Sequence, residues 1–308
     1  MKNNKYSKLN TTAKLICSLT AATLCLGAAS SFADKSTDKQ TSKPRSPSEI
    51  SAQAKDSSWR DIDNENLLRM QLDTGTVWIE LAPQFAPNHV SNTKALVREG
   101  FYDGLSIYRF VEGFVAQGGD ASEEKAIKNA KRAIKSERYT NNKVDFTPLR
   151  FKDSFAEDTG FVTGFAAAKN SKGESWMVHC PGAFAMARNN PVDSGGTEFY
   201  VVLGHAPRYL DRNVTVFGRV ISGMGALLSL QRDKPKDESK EYNPIRSVKV
   251  AADLSKAEQK NWQVMKTDSA DFKELILSRA NRPEDWFVEQ PGVVDVCGVT
   301  VPSRESGS

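Results

Sequence analysis

The chain of 308 residues is 39% hydrophobic and 26% charged. That is a globular composition, which excludes a collagen, a long coiled coil or a wholly disordered chain and leaves room for one large domain or two small ones. The net charge of +4 is carried by Lys2, Lys5, Lys8 and Lys14, in a leader that has no acidic residue before Asp34. The remainder is neutral and gives no general argument for nucleic acid or an anionic membrane as a partner.

Residues 1–33 have the three parts of a secretory signal: a lysine-rich start, an apolar stretch from Leu15 to Ala29, and small residues leading to Ser31-Phe32-Ala33. The apolar stretch is interrupted by Ser18, Thr20 and Thr23 and is short against the roughly 20 residues a membrane helix needs. The expectation is an exported chain, periplasmic in a bacterium, with no membrane contact after cleavage. Residues 34–58 are rich in Ser, Lys and Pro, with Ile50 as their only large aliphatic. Such a segment reads as a flexible linker.

Folded structure is expected from Trp59. Leu67 to Leu72 and Thr76 to Leu81 read as strands joined by Asp73-Thr74-Gly75, a hairpin signature. Pro87 then opens a helix whose apolar face carries Val90, Thr93, Leu96 and Val97. His89, in its first turn, reads as a solvated residue. Short strands follow at Leu105 to Phe110, Gly113 to Gln117, Gly182 to Ala187, Glu198 to Leu203 and Val214 to Val220, with Gly, Asn, Asp and Pro clustered between them. This pattern predicts a mainly β barrel or sandwich with few helices. Residues 121–180 fit it less well: they open with a basic, helix-like run from Glu123 to Glu137 and read as an insertion carrying little core.

From Ala251 to the end the pattern turns helical. Phe272, Leu275, Ile276 and Arg279 share a face, Asp268 or Ser269 can cap its start, and Asn281-Arg282-Pro283 ends it. Residues 251–308 are expected to be a helical extension packed on the barrel, with Trp262, Trp286 and Phe287 needing a surface to cover. Loss of the leader leaves Cys180 and Cys297, which can pair in an oxidising compartment or remain two buried thiols; the pair is preferred here. His179 beside Cys180 has no second ligand cluster, so it reads as structural rather than metal-binding.

The common catalytic motifs are missing from the sequence: no Gly-x-Ser-x-Gly elbow, no His-Glu-x-x-His pair, no phosphate loop and no Gly-x-Gly-x-x-Gly. Covalent, metal and cofactor-dependent chemistry are therefore poorly supported, and what remains is a reaction needing few ionisable groups. Two segments supply a candidate. The first is Tyr108-Arg109-Phe110-Val111-Glu112-Gly113-Phe114-Val115-Ala116-Gln117-Gly118-Gly119-Asp120. The second runs from Gly182 to Asn189, through Ser194-Gly195-Gly196-Thr197-Glu198-Phe199-Tyr200, to Tyr209-Leu210-Asp211 and Val214 to Val220. Arg109 is a permanently charged donor fork beside aromatic surface, and Gly118-Gly119 lets a backbone approach closely.

These segments strongly resemble the cyclophilin family of peptidyl-prolyl cis/trans isomerases, over roughly Leu67 to Val250 with the insertion as the main interruption. The resemblance implies a closed, eight-stranded antiparallel barrel capped by two helices, with a groove on its outside that binds proline-containing polypeptides and uses no cofactor. It implies Arg109 as the catalytic arginine, Phe114 as a proline-pocket phenylalanine, Gln117 and Ala187 as groove residues, and Leu210 as a pocket wall. Val115 stands where the family often has Met, Tyr200 where it has Phe, Tyr209 for Trp, Val214 for a rim His, Arg188 for an Asn that contacts the peptide, and Glu198 where Gln is common. Val115 and Tyr200 keep the pocket apolar, whereas Arg188 and Glu198 alter groove charge and so bear on peptide preference. The expected function is acceleration of X–Pro rotation in exported proteins by a monomer. The alternative is a catalytically weak binding module or chaperone acting through its groove, insertion and C-terminal extension.

Overall fold

The structure, a computed structural model, describes residues 44–237, 239 and 241–307. The leader of residues 1–33 and the first part of the expected linker, residues 34–43, lie outside the described residues. No helix among the described residues is long and apolar enough to cross a membrane.

Fifteen strands and four α-helices follow one another along the described chain. Helix α1 (Pro47–Gln53) and strand β1 (Trp59–Asp61) precede the hairpin of β2 (Leu67–Leu72) and β3 (Gly75–Leu81). Helix α2 (Pro87–Arg98) leads to β4 (Ser106–Val111) and β5 (Val115–Gly119). Four short strands come next: β6 (Phe146–Pro148), β7 (Asp158–Val162), β8 (Phe165–Lys169) and β9 (Ser175–Met177). Then follow β10 (Ala183–Met186), β11 (Phe199–Val202), β12 (Val216–Ser222), α3 (Met224–Leu228) and β13 (Ile245–Val250). The chain ends through β14 (Trp262–Met265), α4 (Ala270–Ala280) and β15 (Ser303–Glu305).

Eight strands form one antiparallel sheet in the order β13-β2-β3-β12-β10-β11-β5-β4. Its edges meet, because Ile107 N–H donates to the Asn243 carbonyl at 2.9 Å and Ile245 N–H to the Leu105 carbonyl at 2.7 Å. The result is the nearly closed barrel the sequence predicts, mainly β, with α2 and α3 packed on it. The period of two along each strand sorts the side chains. On β10, Phe184 and Met186 point into the barrel core while Ala183 and Ala185 join an outer cluster. On β11, Phe199 and Val201 go inward, Tyr200 and Val202 outward. Phe184 is the hub of the interior, 5.1 Å from the Phe199 ring and 4.7 Å from that of Phe217, centre to centre.

The barrel's outer face is not left to solvent. A four-stranded sheet, β6-β7-β8-β9, and a three-stranded sheet, β1-β14-β15, lie against it. Phe165, Met177 and Val162 of the first cover Ala183, Ala185 and Tyr200 of the barrel. Trp78, pointing outward from β3, meets Trp262 of β14 with ring centres 6.0 Å apart. The sulfurs of Cys180 and Cys297 are joined in a disulfide, closing a sequence separation of 117 residues.

Five expectations need correction. The linker is not flexible over 47–53: Ser46 and Glu49 form a reciprocal capping box, Pro47 opens the helix, and Ile50 is completely buried against the α4 layer. Arg45 places its fork on Glu274 of α4 at 2.9 and 2.6 Å. Among the described residues, no helix forms over 123–137; the run is irregular and packs Ile127 and Ala130 against the barrel core. The later part of 121–180 carries substantial core, since Phe161, Phe165 and Trp176 are all buried. The C-terminal extension is mixed rather than helical: Trp262 and Val264 alternate with Gln263 on a real strand, and β15 pairs with it. There Trp262 finds its cover, but Trp286 remains 82% exposed.

His89 is likewise buried, not solvated. Its ring Nδ1 lies 2.6 Å from Glu137 Oε2, and the same carboxylate accepts the N–H groups of Asn88 and His89 at the start of α2. A carboxylate there satisfies donors that the first helical turn leaves open. Burial alone would raise the Glu137 pKa, yet these bonds hold it below the ordinary range.

Candidate active site

A cleft of about 530 Å³ runs along the outside of the barrel where β4, β5 and β11 meet the loops after β10 and β11. Its apolar end is made by Phe114, Val115, Tyr200, Leu210 and Val214, and its polar end by Arg109, Gln117, Ala187, Arg188 and the Asn189-Asn190 pair. Strand geometry brings these together. Arg109 on β4 is in register with Gln117 on β5, and Gln117 with Tyr200 on β11. Three outward-facing side chains on three neighbouring strands therefore stand side by side.

Phe114 sits in the tight turn between β4 and β5, where Gly113 takes φ of 67° and the Leu203 N–H holds the Phe114 carbonyl at 2.8 Å. Glycine is also required just past Gln117. A Cβ on Gly118 would come within 2.7 Å of Ile107 Cδ1, and one on Gly119 within 2.8 Å of the Thr197 carbonyl oxygen. At Gly118 the Ile107 side chain would have to move, whereas at Gly119 the neighbouring backbone itself would have to give way.

The polar end is organised around Gln117. Its Oε1 accepts from Arg109 Nη1 at 3.3 Å, while its Nε2 donates to Glu198 Oε2 at 3.1 Å and to the Tyr108 hydroxyl. Tyr108 donates its hydroxyl proton to the same Glu198 oxygen. Glu198 thus fixes which way the Gln117 amide faces, and that in turn aims Arg109. Burial, reinforced by the bond to Glu198, pushes the Tyr108 hydroxyl well above its usual pKa, so it remains a donor. Arg109 itself is exposed, with its guanidinium 6.0 Å from the Phe114 ring centre, at the outer limit of a cation–π contact.

Of the site residues expected from sequence, Arg109, Phe114, Val115, Gln117, Ala187, Arg188, Tyr200 and Leu210 all line this cleft, as does Val214. Tyr209 does not: it is 65% exposed and stands outside the lining. Arg188 is tethered, its Nε donating to the Asn213 carbonyl at 3.1 Å and Nη1 to that of Asn189 at 2.8 Å. It acts as a strut between two loops. Glu198 lies in an adjoining recess of about 300 Å³ with Arg132 and Ser194. Sequence reading missed the part played by Tyr108, whose only signal was a polar aromatic next to Arg109. His179, read as structural, is hydrogen-bonded to Tyr200, a link to the cleft that sequence reading did not show.

Comparison with known proteins agrees with this geometry. The family model described as cyclophilin type peptidyl-prolyl cis-trans isomerase/CLD matches residues 67–252. A probable peptidyl-prolyl cis-trans isomerase of Brucella suis is 28% identical over 191 residues, covering 61% of this chain and 83% of the relative. Peptidyl-prolyl cis-trans isomerase B of Bacillus subtilis is 31% identical over 153 residues, 49% of this chain and 80% of that one. The crystal structure of cyclophilin AquaCyp293 from Hirschia baltica superposes with a TM-score of 0.67 at 30% identity, covering 80% of this chain and 92% of that chain. That coverage extends well beyond the family-model span, so the flanking layer has a counterpart outside this chain. The chain belongs to the cyclophilin type peptidyl-prolyl cis-trans isomerase family, and it is a peptidyl-prolyl cis-trans isomerase.

Proposed function

We propose that the cleft accelerates X–Pro rotation by holding the proline ring at its apolar end while Arg109 stabilises the twisted amide, and that its substrates are exported proteins. Rotation about a peptide bond faces a barrier of about 18–20 kcal/mol because resonance keeps it planar, and X–Pro bonds isomerise in tens to hundreds of seconds. No bond is made or broken, so catalysis needs only tighter binding of the twisted state than of the planar one. Twisting localises a lone pair on the prolyl nitrogen. A guanidinium aimed at that position gains a hydrogen bond which the planar amide cannot offer.

One observation carries this reading: a permanently charged donor fork and five apolar side chains line one cleft, with the fork held by Gln117. Phe114, Val115, Tyr200 and Leu210 grip the ring while Arg109 and Gln117 engage the neighbouring backbone. The protein acts as a monomer on proline-containing polypeptides. Export rests on the leader of residues 1–33, and the periplasm is the compartment in which a cleaved leader and a disulfide coexist naturally.

The test is a proline-isomerisation assay on residues 34–308 with Arg109→Ala alongside. The expected result is a rate well above the spontaneous one that falls about 100- to 1,000-fold in the variant, the usual consequence of losing one aimed donor. An undiminished rate in a folded Arg109→Ala protein overturns the assignment. For export, mass spectrometry of the expressed chain should find a mature N-terminus at Asp34.

A further inference from the structure

Behind the apolar wall runs a chain of buried polar groups that the cleft itself does not use. The Tyr200 hydroxyl lies 2.9 Å from His179 Nε2. His179 is completely buried, and its Nδ1 is 2.8 Å from Asp211 Oδ1, the oxygen that also accepts the His179 backbone N–H at 3.0 Å. The second oxygen of Asp211 accepts from Arg208 Nε at 2.7 Å. Arg208 then places its two terminal nitrogens on Asp153 at 2.9 and 3.0 Å. The side chains of His179, Asp211, Arg208 and Asp153 are each at most 6% exposed.

Two features tie this chain to the cleft. Tyr200 is one wall of the apolar end, and its hydroxyl is what separates it from a phenylalanine of the same shape. Leu210, another wall, sits inside the short turn whose two ends are Arg208 and Asp211. Asp153 sits at the far end, in the 121–180 segment, and touches none of the cleft. It is itself fixed by the N–H groups of Phe155 and Ala156 at 2.8 and 3.0 Å, and the Phe155 ring covers the Arg208 guanidinium at 5.1 Å. In such surroundings each link is stiff, because breaking one leaves a buried charge or donor without a partner.

We propose that His179, Asp211, Arg208 and Asp153 are positioning residues that hold Tyr200 and Leu210 at the separation a proline ring requires, so that the 121–180 segment sets affinity for X–Pro without meeting the substrate. This rests on the reading of the cleft given above. The relay acts on the bound ring in planar and twisted states alike, and its loss therefore weakens binding rather than turnover. Arg109, two strands from Tyr200, is hydrogen-bonded to Gln117 and to none of these four residues.

The experiment measures KM and kcat separately for a short peptide with a single Ala–Pro bond, using the full chain and the variants Asp153→Asn, His179→Ala, His179→Gln, Tyr200→Phe and the double variant His179→Ala with Tyr200→Phe. Asp153→Asn and His179→Ala should raise KM about three- to tenfold, the range expected of coupled contacts, with kcat changed by less than about twofold. His179→Gln, which keeps a hydrogen-bonding group facing the tyrosine, should recover part of the loss. In the Tyr200→Phe background the His179→Ala effect on KM should largely vanish, since the hydroxyl that transmits it is gone. A lower melting temperature with unchanged KM in Asp153→Asn and His179→Ala overturns the relay and leaves a purely structural network. Should His179→Ala fail to fold, the shape-preserving Tyr200→Phe decides alone: an unchanged KM overturns the proposal. A wild-type protein without isomerase activity would instead refute the reading of the cleft.

Discussion

The barrel and the layer around it are assembled in different ways. In the barrel, β2–β3 and β4–β5 are hairpins and β10–β11 are joined by one loop, whereas β2–β13, β3–β12 and β5–β11 pair across long stretches of chain, and the interior is an aromatic cluster centred on Phe184, Phe199 and Phe217. The layer joins the consecutive strands β6 to β9 to pieces from far apart in the chain. Strand β14 pairs with β1 on one side and β15 on the other, and α1 lies on α4 through Arg45 and Glu274, 229 residues apart. Polar anchors recur in it: Arg60 and Arg219 both reach the buried Glu80 of β3, Asp271 accepts from Ser58 and from the Lys55 N–H, and the disulfide closes one edge. The barrel is thus held mainly by continuous apolar burial, which fails all at once. The layer has an apolar cluster of its own, with Ile50, Phe161, Trp176, Phe272 and Leu275 buried in it, and adds separable links, each of which can be cut while the barrel stands.

That contrast can be broken experimentally. The largest effect should come from Phe184→Ala, which empties the barrel centre and costs about 3–5 kcal/mol, typical of a buried aromatic truncated to alanine. Chemical denaturation followed by tryptophan fluorescence and by isomerase activity should show both signals shifting together. If activity survives while the fluorescence midpoint falls, the barrel is not the cooperative unit described here.

Replacing Cys180 and Cys297 together by Ala should cost about 2–4 kcal/mol, because a long loop is no longer closed in the unfolded chain. Amide hydrogen exchange should then rise around 296–298 and in β15, while β10, β11 and β12 keep their protection. Uniform loss of protection across both regions would mean that layer and barrel unfold as one.

The smallest effect is the response to acid. The Asp271 carboxyl is held below its usual range chiefly by the Ser58 hydroxyl, against an opposing effect of burial. For Asp153 burial is the largest influence and acts upward, but the Arg208 fork and two backbone N–H groups outweigh it. A carboxyl with a depressed folded pKa contributes stability that is fully present above its unfolded pKa of about 4 and is lost as pH falls through the folded value. Protection of α4, relative to the intrinsic exchange rate at each pH, should therefore fall below about pH 4, ahead of the barrel strands, and Asp153→Asn should flatten the same dependence in the turn around Arg208. A pH-independent profile down to pH 3 would remove the carboxylates from the account.

Legibility in the sequence follows the same division. The hairpin of β2 and β3 was readable because a turn signal separates two strand-like runs, and the alternation on β10 because Phe184 and Met186 differ so plainly from Ala183 and Ala185. Helix α1 was obscured because one buried Ile50 among Ser, Lys and Pro looks like a linker; its capping box was present at Ser46 and Glu49 but had no visible apolar face to support. The strand character of β14 was overshadowed by the stronger helical period of the α4 residues that follow it. At the site, Arg109, Phe114 and Gln117 could be singled out because they lie within nine residues of one another and share a motif. Tyr209 was drawn in by the same motif, yet its ring projects to solvent. His179 was seen only as a histidine beside a cysteine.

The sequence by itself pointed to a mainly β barrel and to the residues that line the cleft, through the two-residue period of its strands and the motifs around Arg109 and Gly182. Tertiary structure alone decided how the pocket is supported. Asp153 meets Arg208 across 55 residues and His179 meets Tyr200 across 21, and a buried ion pair carries no local pattern. Its partners are chosen by which loops the sheets bring together, so a carboxylate in an unremarkable polar stretch acquires its role only once the second layer has docked.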